Sequence, residues 1–133
     1  MAAIEGSING LNKLKYIVAE NADGKIAGVM GMAPPSDEML QHADTDRPVE
    51  LINAYLAPDM LGAGTGRLLA WQLELLAKRY GHTEVLVNSG PRYKESGWPF
   101  WTRLYGEPAA VLHHHYGPGG DAQVWNKVFP AEE

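Results

Sequence analysis

The stretch Leu56–Leu76, LAPDMLGAGTGRLLAWQLELL, joins an apolar strand-like run to a patterned helix. Gly62, Gly64 and Gly66 occupy alternate positions where the helical pattern begins. Glycine lacks a Cβ, so the backbone N–H groups of such a turn can approach a ligand closely. The first N–H groups of a helix have no intrahelical acceptor, and the helix dipole is positive there. The turn predicts an anion site, most often for phosphate, although the glycines would also permit tight packing of helix on sheet.

The turn does not fit the two common nucleotide-binding motifs. A P-loop ends in Gly-Lys-Ser/Thr, whereas Gly66 is followed by Arg67 and Leu68. A dinucleotide-binding turn has the spacing G-x-G-x-x-G directly after its strand, with an acidic residue about twenty positions further on. Here the spacing is G-x-G-x-G and the next strand ends in Asn88.

Composition limits the class of protein. The 133 residues suit one domain spanning 1–133, with residues 1–15 expected to be weakly structured or a truncated N-terminal part. A net charge of −5 disfavours a general nucleic-acid binder, and the lack of cysteine excludes disulfides and zinc–thiolate sites. No apolar run is long enough to span a bilayer, and the N-terminus has no signal-peptide core. We expect a cytoplasmic protein with no nucleic-acid or membrane partner.

Periodicity and turn signals predict an α/β protein of the α+β type. The segments YIVAE and IAGVMGM form a hairpin around Asp23-Gly24, and the quoted helix, which ends near Gly81, connects the strands VELINAYLA and TEVLVN. A strand, helix and strand this close in sequence form a parallel βαβ unit. We predict a mixed, mostly antiparallel sheet of about six strands around this unit.

The remaining segments are assigned from local signals. The predicted elements are a polar loop (APPSDEMLQHADTDRP), a short aromatic helix (SGWPFWTRLYGE) and two strands (AAVLHHHYG and AQVWNKVF) joined by the turn PGGD. In a strand, His113 and His115 would share one face. With no carboxylate cluster nearby in the sequence we expect no metal site; a histidine of this group acting as a base is the better-supported alternative.

The quoted stretch resembles the acetyl-coenzyme A signature of the GNAT family of N-acetyltransferases. In that family a strand ends in V-x-P and, two residues later, R/Q-x-x-G-x-G/A opens a helix. Leu56 takes the valine position, Pro58 the proline, and Gly64 and Gly66 the small positions, whereas Leu61 replaces the usual Arg or Gln. The order of elements also agrees from residue 16 to residue 129.

The resemblance implies the acyl-CoA N-acyltransferase fold, here lacking most of the usual N-terminal strand and helices. Those helices normally form one wall of the acceptor site. An exposed sheet flank in their place would favour a homodimer.

The resemblance implies acetyl-CoA, or coenzyme A, as the cofactor. The pyrophosphate would lie on the amides of Gly62–Arg67, and the backbone of Leu56 would pair with pantetheine. Asn88 resembles the family's cofactor-contacting asparagine, although a strand-end asparagine is also a common turn residue. The implied cofactor-binding residues are Leu56, Leu61, Gly62, Ala63, Gly64, Thr65, Gly66, Arg67 and Asn88.

Two residues are catalytic candidates through the resemblance. Glu50 lies six residues before Leu56, where the histone-acetylating branch carries a general base; the alternative is a solvent-facing glutamate at the start of a strand. Trp101 stands where the family often has a tyrosine acid, and Tyr105 one helical turn later could replace it or simply pack in the core.

Five residues are candidates for binding the acceptor. Asn53 and Tyr55 could order a water beside the base. The unusual segment SGPRYKESGWPFW could line the acceptor pocket or form an aromatic cap on the sheet. The substrate-binding candidates are Asn53, Tyr55, Arg92, Trp98 and Trp101.

The resulting expectation is an N-acetyltransferase that moves an acetyl group from acetyl-CoA to a primary amine of a small molecule or peptide. The alternative is a non-catalytic coenzyme A-binding regulatory or assembly module. The missing N-terminal wall and Trp101 favour that alternative. A weaker third hypothesis is a binder of another phosphate ligand.

Overall fold

The computed structural model describes residues 2–7, 15–20, 22–56, 64–113, 115 and 117–130; for residues 2–7 and for residue 53 it describes the backbone alone. The elements in chain order are β1 (Ala2–Ser7), β2 (Lys15–Glu20), β3 (Ile26–Ala33), α1 (Asp37–Leu40), β4 (Pro48–Leu56), α2 (Thr65–Arg79), β5 (Glu84–Ser89), α3 (Gly97–Tyr105), β6 (Ala110–Leu112) and β7 (Ala122–Val128), with a 3₁₀ turn at Pro91–Tyr93. The strand order is β1-β2-β3-β4-β5-β7-β6.

This arrangement confirms the predicted mixed, mostly antiparallel sheet with a parallel pair of strands. Among the described residues, no helix combines the length and the apolar composition that a membrane span requires.

The chain divides into two compact units. The first unit comprises Met1–Pro34 and Leu51–His82, and the second comprises Pro35–Glu50 and Thr83–Glu133. The boundaries predicted for a single domain stay a prediction.

The first unit contains three antiparallel strands. β2 pairs with β3 around the predicted turn, where Gly24 adopts a φ of 78°, so the expected hairpin is present. β1 pairs with β2 from Ala2↔Glu20 to Ser7↔Lys15. This edge strand lies in the segment expected to be weakly structured, and it brings the sheet to seven strands instead of about six. AAIEGS has little β-branched or aromatic character, so pairing with β2 rather than local propensity explains β1.

Helix α2 lies against this hairpin. Leu69, Leu73 and Leu76 form its buried stripe, and the helix contacts both β3 and β2. It ends where predicted, because Gly81 follows with a φ of 86°, a backbone conformation that favours glycine.

Gly28 on β3 makes the closest approach of backbone to side chains in the first unit. A Cβ built on Gly28 would lie 2.8 Å from Leu56 Cδ2, 2.8 Å from Leu69 Cδ1 and 3.0 Å from the carbonyl oxygen of Tyr55. The missing side chain therefore allows β3, the end of β4 and the first turns of α2 to pack together.

We predict that Gly28→Ala lowers the free energy of unfolding by about 1–3 kcal/mol, because the added methyl overpacks this junction. Denaturant unfolding measures the change. Ile26→Val, at a side chain that is 60% exposed on the same strand, is the control and should change stability by less than about 0.5 kcal/mol. A Gly28→Ala protein as stable as the parent would contradict this prediction, since the junction would then accommodate the added methyl group without strain.

The second unit is built on β5, β7 and β6, which are antiparallel. One apolar cluster packs on this sheet and consists of Met39, Leu86, Leu112, Ala122 and Val124. Met39 belongs to α1, a helix inside the segment predicted to be a loop, so that prediction is wrong there. Ser36 explains the helix: its Oγ accepts a hydrogen bond from the N–H of Met39 at 3.3 Å, and acidic residues occupy the first turn.

A buried carboxylate fixes the segment that follows α1. Glu84, at the start of β5, is fully buried. Its oxygens accept hydrogen bonds from the N–H of Asp44 at 2.9 Å, from the N–H and Oγ1 of Thr45 at 2.8 and 2.9 Å, and from Nδ2 of Asn126 at 2.8 Å. Each of these donors is neutral, so the negative charge is compensated by directed hydrogen bonds.

We predict that Glu84→Gln destabilises the protein by about 1–3 kcal/mol, because an amide N–H₂ would face N–H donors in a dry environment. Chemical unfolding of Glu84→Gln and of the exposed control Glu107→Gln measures the difference. Equal stability of the two variants would contradict this role for Glu84.

Candidate functional site

The start of α2 is the described part of the glycine turn. Gly64 is its N-cap residue in the left-handed region, with a φ of 83° and a ψ of 3°, and no side chain forms a cap hydrogen bond there. A Cβ built on Gly64 would meet no atom of the described residues within 4 Å. The first turn contains no acidic residue; Thr65 and Gly66 are buried, whereas Arg67 is exposed. Among the described residues, no side chain occupies the space beside Gly64, and the N-terminus of a helix favours an anion.

The structure describes only some of the other signature residues. Leu56 ends β4 and is half-buried, and its side chain forms part of the packing around Gly28. Leu61, Gly62 and Ala63 lie outside the described residues. Their predicted role in holding the cofactor stays a prediction.

Glu50 lies near the start of β4 in the second unit. The residue is half-buried, and its Oε1 accepts a hydrogen bond from the backbone N–H of Ser36 at 3.2 Å. This contact orients the carboxylate toward the residue that caps α1, so Glu50 is more restrained than a glutamate that simply faces solvent. Its role as general base stays a prediction.

Two rings of α3 stack on each other. Trp101 is 5% exposed and its ring centroid lies 5.7 Å from that of Tyr105, with the planes 16° apart. Lys127 Nζ lies 5.9 Å from the Tyr105 centroid. These contacts agree with the packing alternative for Tyr105, and its role as an acid stays a prediction.

The other acceptor candidates differ in how firmly they are held. Trp98 is half-buried and donates from Nε1 to the carbonyl oxygen of Ser89 at 3.0 Å, which fixes its ring beside the end of β5. Arg92 is exposed, with its guanidinium 5.8 Å from the ring centroid of Tyr93. Tyr55 is 54% exposed, and the side chain of Asn53 is not described.

Asn88, the next-to-last residue of β5, is part of a hydrogen-bonded chain. Its Nδ2 lies 3.3 Å from Nε2 of His115, and Nδ1 of His115 lies 3.0 Å from Oε2 of Glu38 on α1. The Oδ1 atom of Asn88 is buried, with no hydrogen-bond partner among the described residues. The chain carboxylate–imidazole–carboxamide lies entirely within the second unit.

The histidine segment differs from its prediction. β6 ends at Leu112, so His113 and His115 lie in turn structure and do not share the face of a strand. Glycines with positive φ at 117 and 119 continue this turn toward β7. His113 Nδ1 lies 3.3 Å from Asp121 Oδ2 at the surface. Within the described part of the chain, no three acidic or histidine side chains are arranged to hold a metal ion.

Ser36 and Glu38 contact two of the candidate residues, and neither was predicted from the sequence. The segment PSDEML carries a helix-start signal, a serine followed by two acidic residues, which would have predicted α1. The contacts of Ser36 with Glu50 and of Glu38 with His115 join residues far apart in sequence, so no local signal marks them.

No protein-family model matches the chain, and no curated protein matches it. Solved structures do match. An acetyltransferase of the GNAT family from Desulfovibrio desulfuricans superposes with a TM-score of 0.72 at 20% identity, over 87% of this chain and 69% of that one. Nourseothricin acetyltransferase gives 0.72 at 19% identity, over 89% of this chain and 66% of that one.

An aminoglycoside 6′-N-acetyltransferase complexed with coenzyme A gives a TM-score of 0.71 at 14% identity, over 91% of this chain and 76% of that one. This chain thus spans between 66% and 76% of the length of the three proteins. At such identities the likeness defines the fold alone. The chain has the acyl-CoA N-acyltransferase fold of the GNAT acetyltransferases.

Proposed function

We propose that this protein is an N-acetyltransferase that moves an acetyl group from acetyl-CoA to a primary amine of a small molecule or peptide. One observation carries the proposal: in a chain with this fold, α2 begins at a left-handed Gly64, and among the described residues no side chain caps this glycine or fills the space beside it. A protein of the same fold crystallised with coenzyme A supports the choice of cofactor.

The proposed cofactor contacts use the backbone. The N–H groups at Gly64–Arg67, with the positive end of the helix dipole, would hold the diphosphate, as the resemblance assigns to Gly62–Arg67. Leu61 in place of the usual Arg or Gln should change cofactor binding little, because the proposed donors belong to the main chain. When bound, acetyl-CoA supplies an activated acyl group in its thioester.

The proposed acid–base groups are Glu50 and Tyr105. An acceptor amine is protonated near neutral pH and must lose a proton before it can attack a carbonyl carbon. Glu50 would receive that proton through a water molecule, with its orientation fixed by the Ser36 N–H at 3.2 Å. Tyr105 would donate a proton from its phenol to the leaving group.

A coenzyme A-binding module without turnover is the second candidate. Trp101 favours it, because an indole stands where the family often has a tyrosine acid, and that ring is buried and stacked on Tyr105. Thiol release from acetyl-CoA with a panel of amines separates the candidates. Cofactor binding without thiol release in the presence of any amine would support the module and reject catalysis.

We predict that Gly64→Asp weakens coenzyme A binding about tenfold more than Gly64→Asn, because a carboxylate beside the diphosphate repels it across a few ångströms. Asn and Asp both tolerate the left-handed backbone, so the two variants differ mainly in charge. The helix dipole makes Gly64→Asp at least as stable as Gly64→Asn, opposite to its effect on binding.

Isothermal titration measures the affinities, and thermal unfolding measures the stabilities. Titrations of the parent with ATP and NAD are the ligand controls and should show weaker binding than acetyl-CoA. Equal coenzyme A affinity in the Gly64→Asp and Gly64→Asn proteins would place the anion elsewhere.

We predict that Glu50→Gln lowers kcat/KM for the amine by about 100-fold, since general-base catalysis contributes factors of this size, and leaves the Kd for coenzyme A unchanged. Steady-state kinetics and calorimetry give the two quantities. The exposed residue Glu107 supplies the control Glu107→Gln, which should match the parent in both. A Glu50→Gln enzyme with parental kcat/KM would remove Glu50 from the mechanism.

A further inference from the structure

We propose that His115, oriented by Glu38, is a positioning residue that selects which atom of the Asn88 carboxamide faces a bound ligand. In this role it makes ligand binding depend on pH. The inference rests on the proposed function only in using coenzyme A as the binding probe. The hydrogen-bond chain itself belongs to the free protein.

The contact with Glu38 determines where the imidazole carries its proton. A carboxylate only accepts hydrogen bonds, so Nδ1 of His115, 3.0 Å from Oε2 of Glu38, is the nitrogen that bears hydrogen. In the neutral ring, Nε2 is then the acceptor. Asn88 Nδ2, at 3.3 Å, is the donor that this acceptor requires.

The orientation of the carboxamide follows from this contact. With Nδ2 directed at His115, Oδ1 of Asn88 points the other way, where it is buried without a partner among the described residues. A buried acceptor in this state favours a ligand that brings an N–H or O–H donor. A secondary amide N–H fits that chemistry.

Protonation of His115 reverses the arrangement. Both ring nitrogens are then donors, so the hydrogen on Nε2 would face the hydrogens on Asn88 Nδ2. Rotating the carboxamide removes this conflict, because Oδ1 then accepts from His115 and Nδ2 faces the ligand. The ligand's donor then meets a donor, and binding weakens.

The groups around His115 bear on its titration. Among the described residues, the carboxylate of Glu38 on α1 and the neutral carboxamide of Asn88 on β5 both contact the ring. The His115 side chain is 24% exposed, so protons reach it from solvent. Histidines in proteins change charge between about pH 5 and 8, so we expect the change in binding within that range.

The test is calorimetric titration of coenzyme A from about pH 8 to about pH 5.5, which spans the range in which histidine changes charge. We expect the parent protein to lose about tenfold more affinity than His115→Gln over this range. Glutamine offers Asn88 an acceptor that does not titrate. The control is His113→Gln. The His113 side chain lies beside Asp121 and is 74% exposed, so this variant should keep the parental dependence of affinity on pH.

Coenzyme A has its own ionisable groups, which contribute equally to the titrations of the parent and of each variant. The difference in affinity between the parent and a variant therefore reports on the protein alone. Coincident profiles for the parent and His115→Gln would overturn the proposal.

A second measurement keeps this outcome separate from that of the proposed function. In the free protein, NMR of the Asn88 side-chain amide should follow the titration of the His115 ring, and should lose that dependence in His115→Gln. If coenzyme A fails to bind any of the proteins at any pH, the proposed function fails and the amide titration decides the positioning role alone. An Asn88 amide that ignores the His115 titration would reject that role.

Discussion

The proposed cofactor site depends on how helix α2 begins. Fifteen residues of helix begin at a glycine in the left-handed region, and within the described ranges no side chain caps that glycine or fills the space beside it. The first N–H groups of a helix have no intrahelical acceptor, so a helix end of this kind can bind an anion through main-chain donors. Gly28 allows close packing near the start of α2, because its missing Cβ lets the side chains of Leu56 and Leu69 reach the backbone of β3.

The second unit depends on buried polar groups instead. Glu84 accepts hydrogen bonds from Asp44 and Thr45, and so fixes the segment that begins with α1. That segment carries Ser36, which contacts Glu50, and Glu38, which contacts His115. A single dry carboxylate thereby anchors the segment that orients both a candidate base and an imidazole.

Much of the fold could be predicted because its signals are local. The Asp23-Gly24 turn, the apolar stripe of α2 and its stop at Gly81 each lie within a few residues of the element they define. The helix α1 was missed although Ser36 signals it, because its surroundings are rich in proline and polar residues. β6 is shorter than predicted, since apolar alternation does not show where a strand's partner ends. The contacts of Glu84 span about 40 residues of chain, beyond the reach of any local pattern.

A crystal structure of the protein with coenzyme A tests the central claim most directly. We expect diphosphate oxygens within hydrogen-bonding distance of the amide nitrogens at the start of α2, beside Gly64. A well-ordered cofactor whose diphosphate lies against any other part of the chain would contradict it.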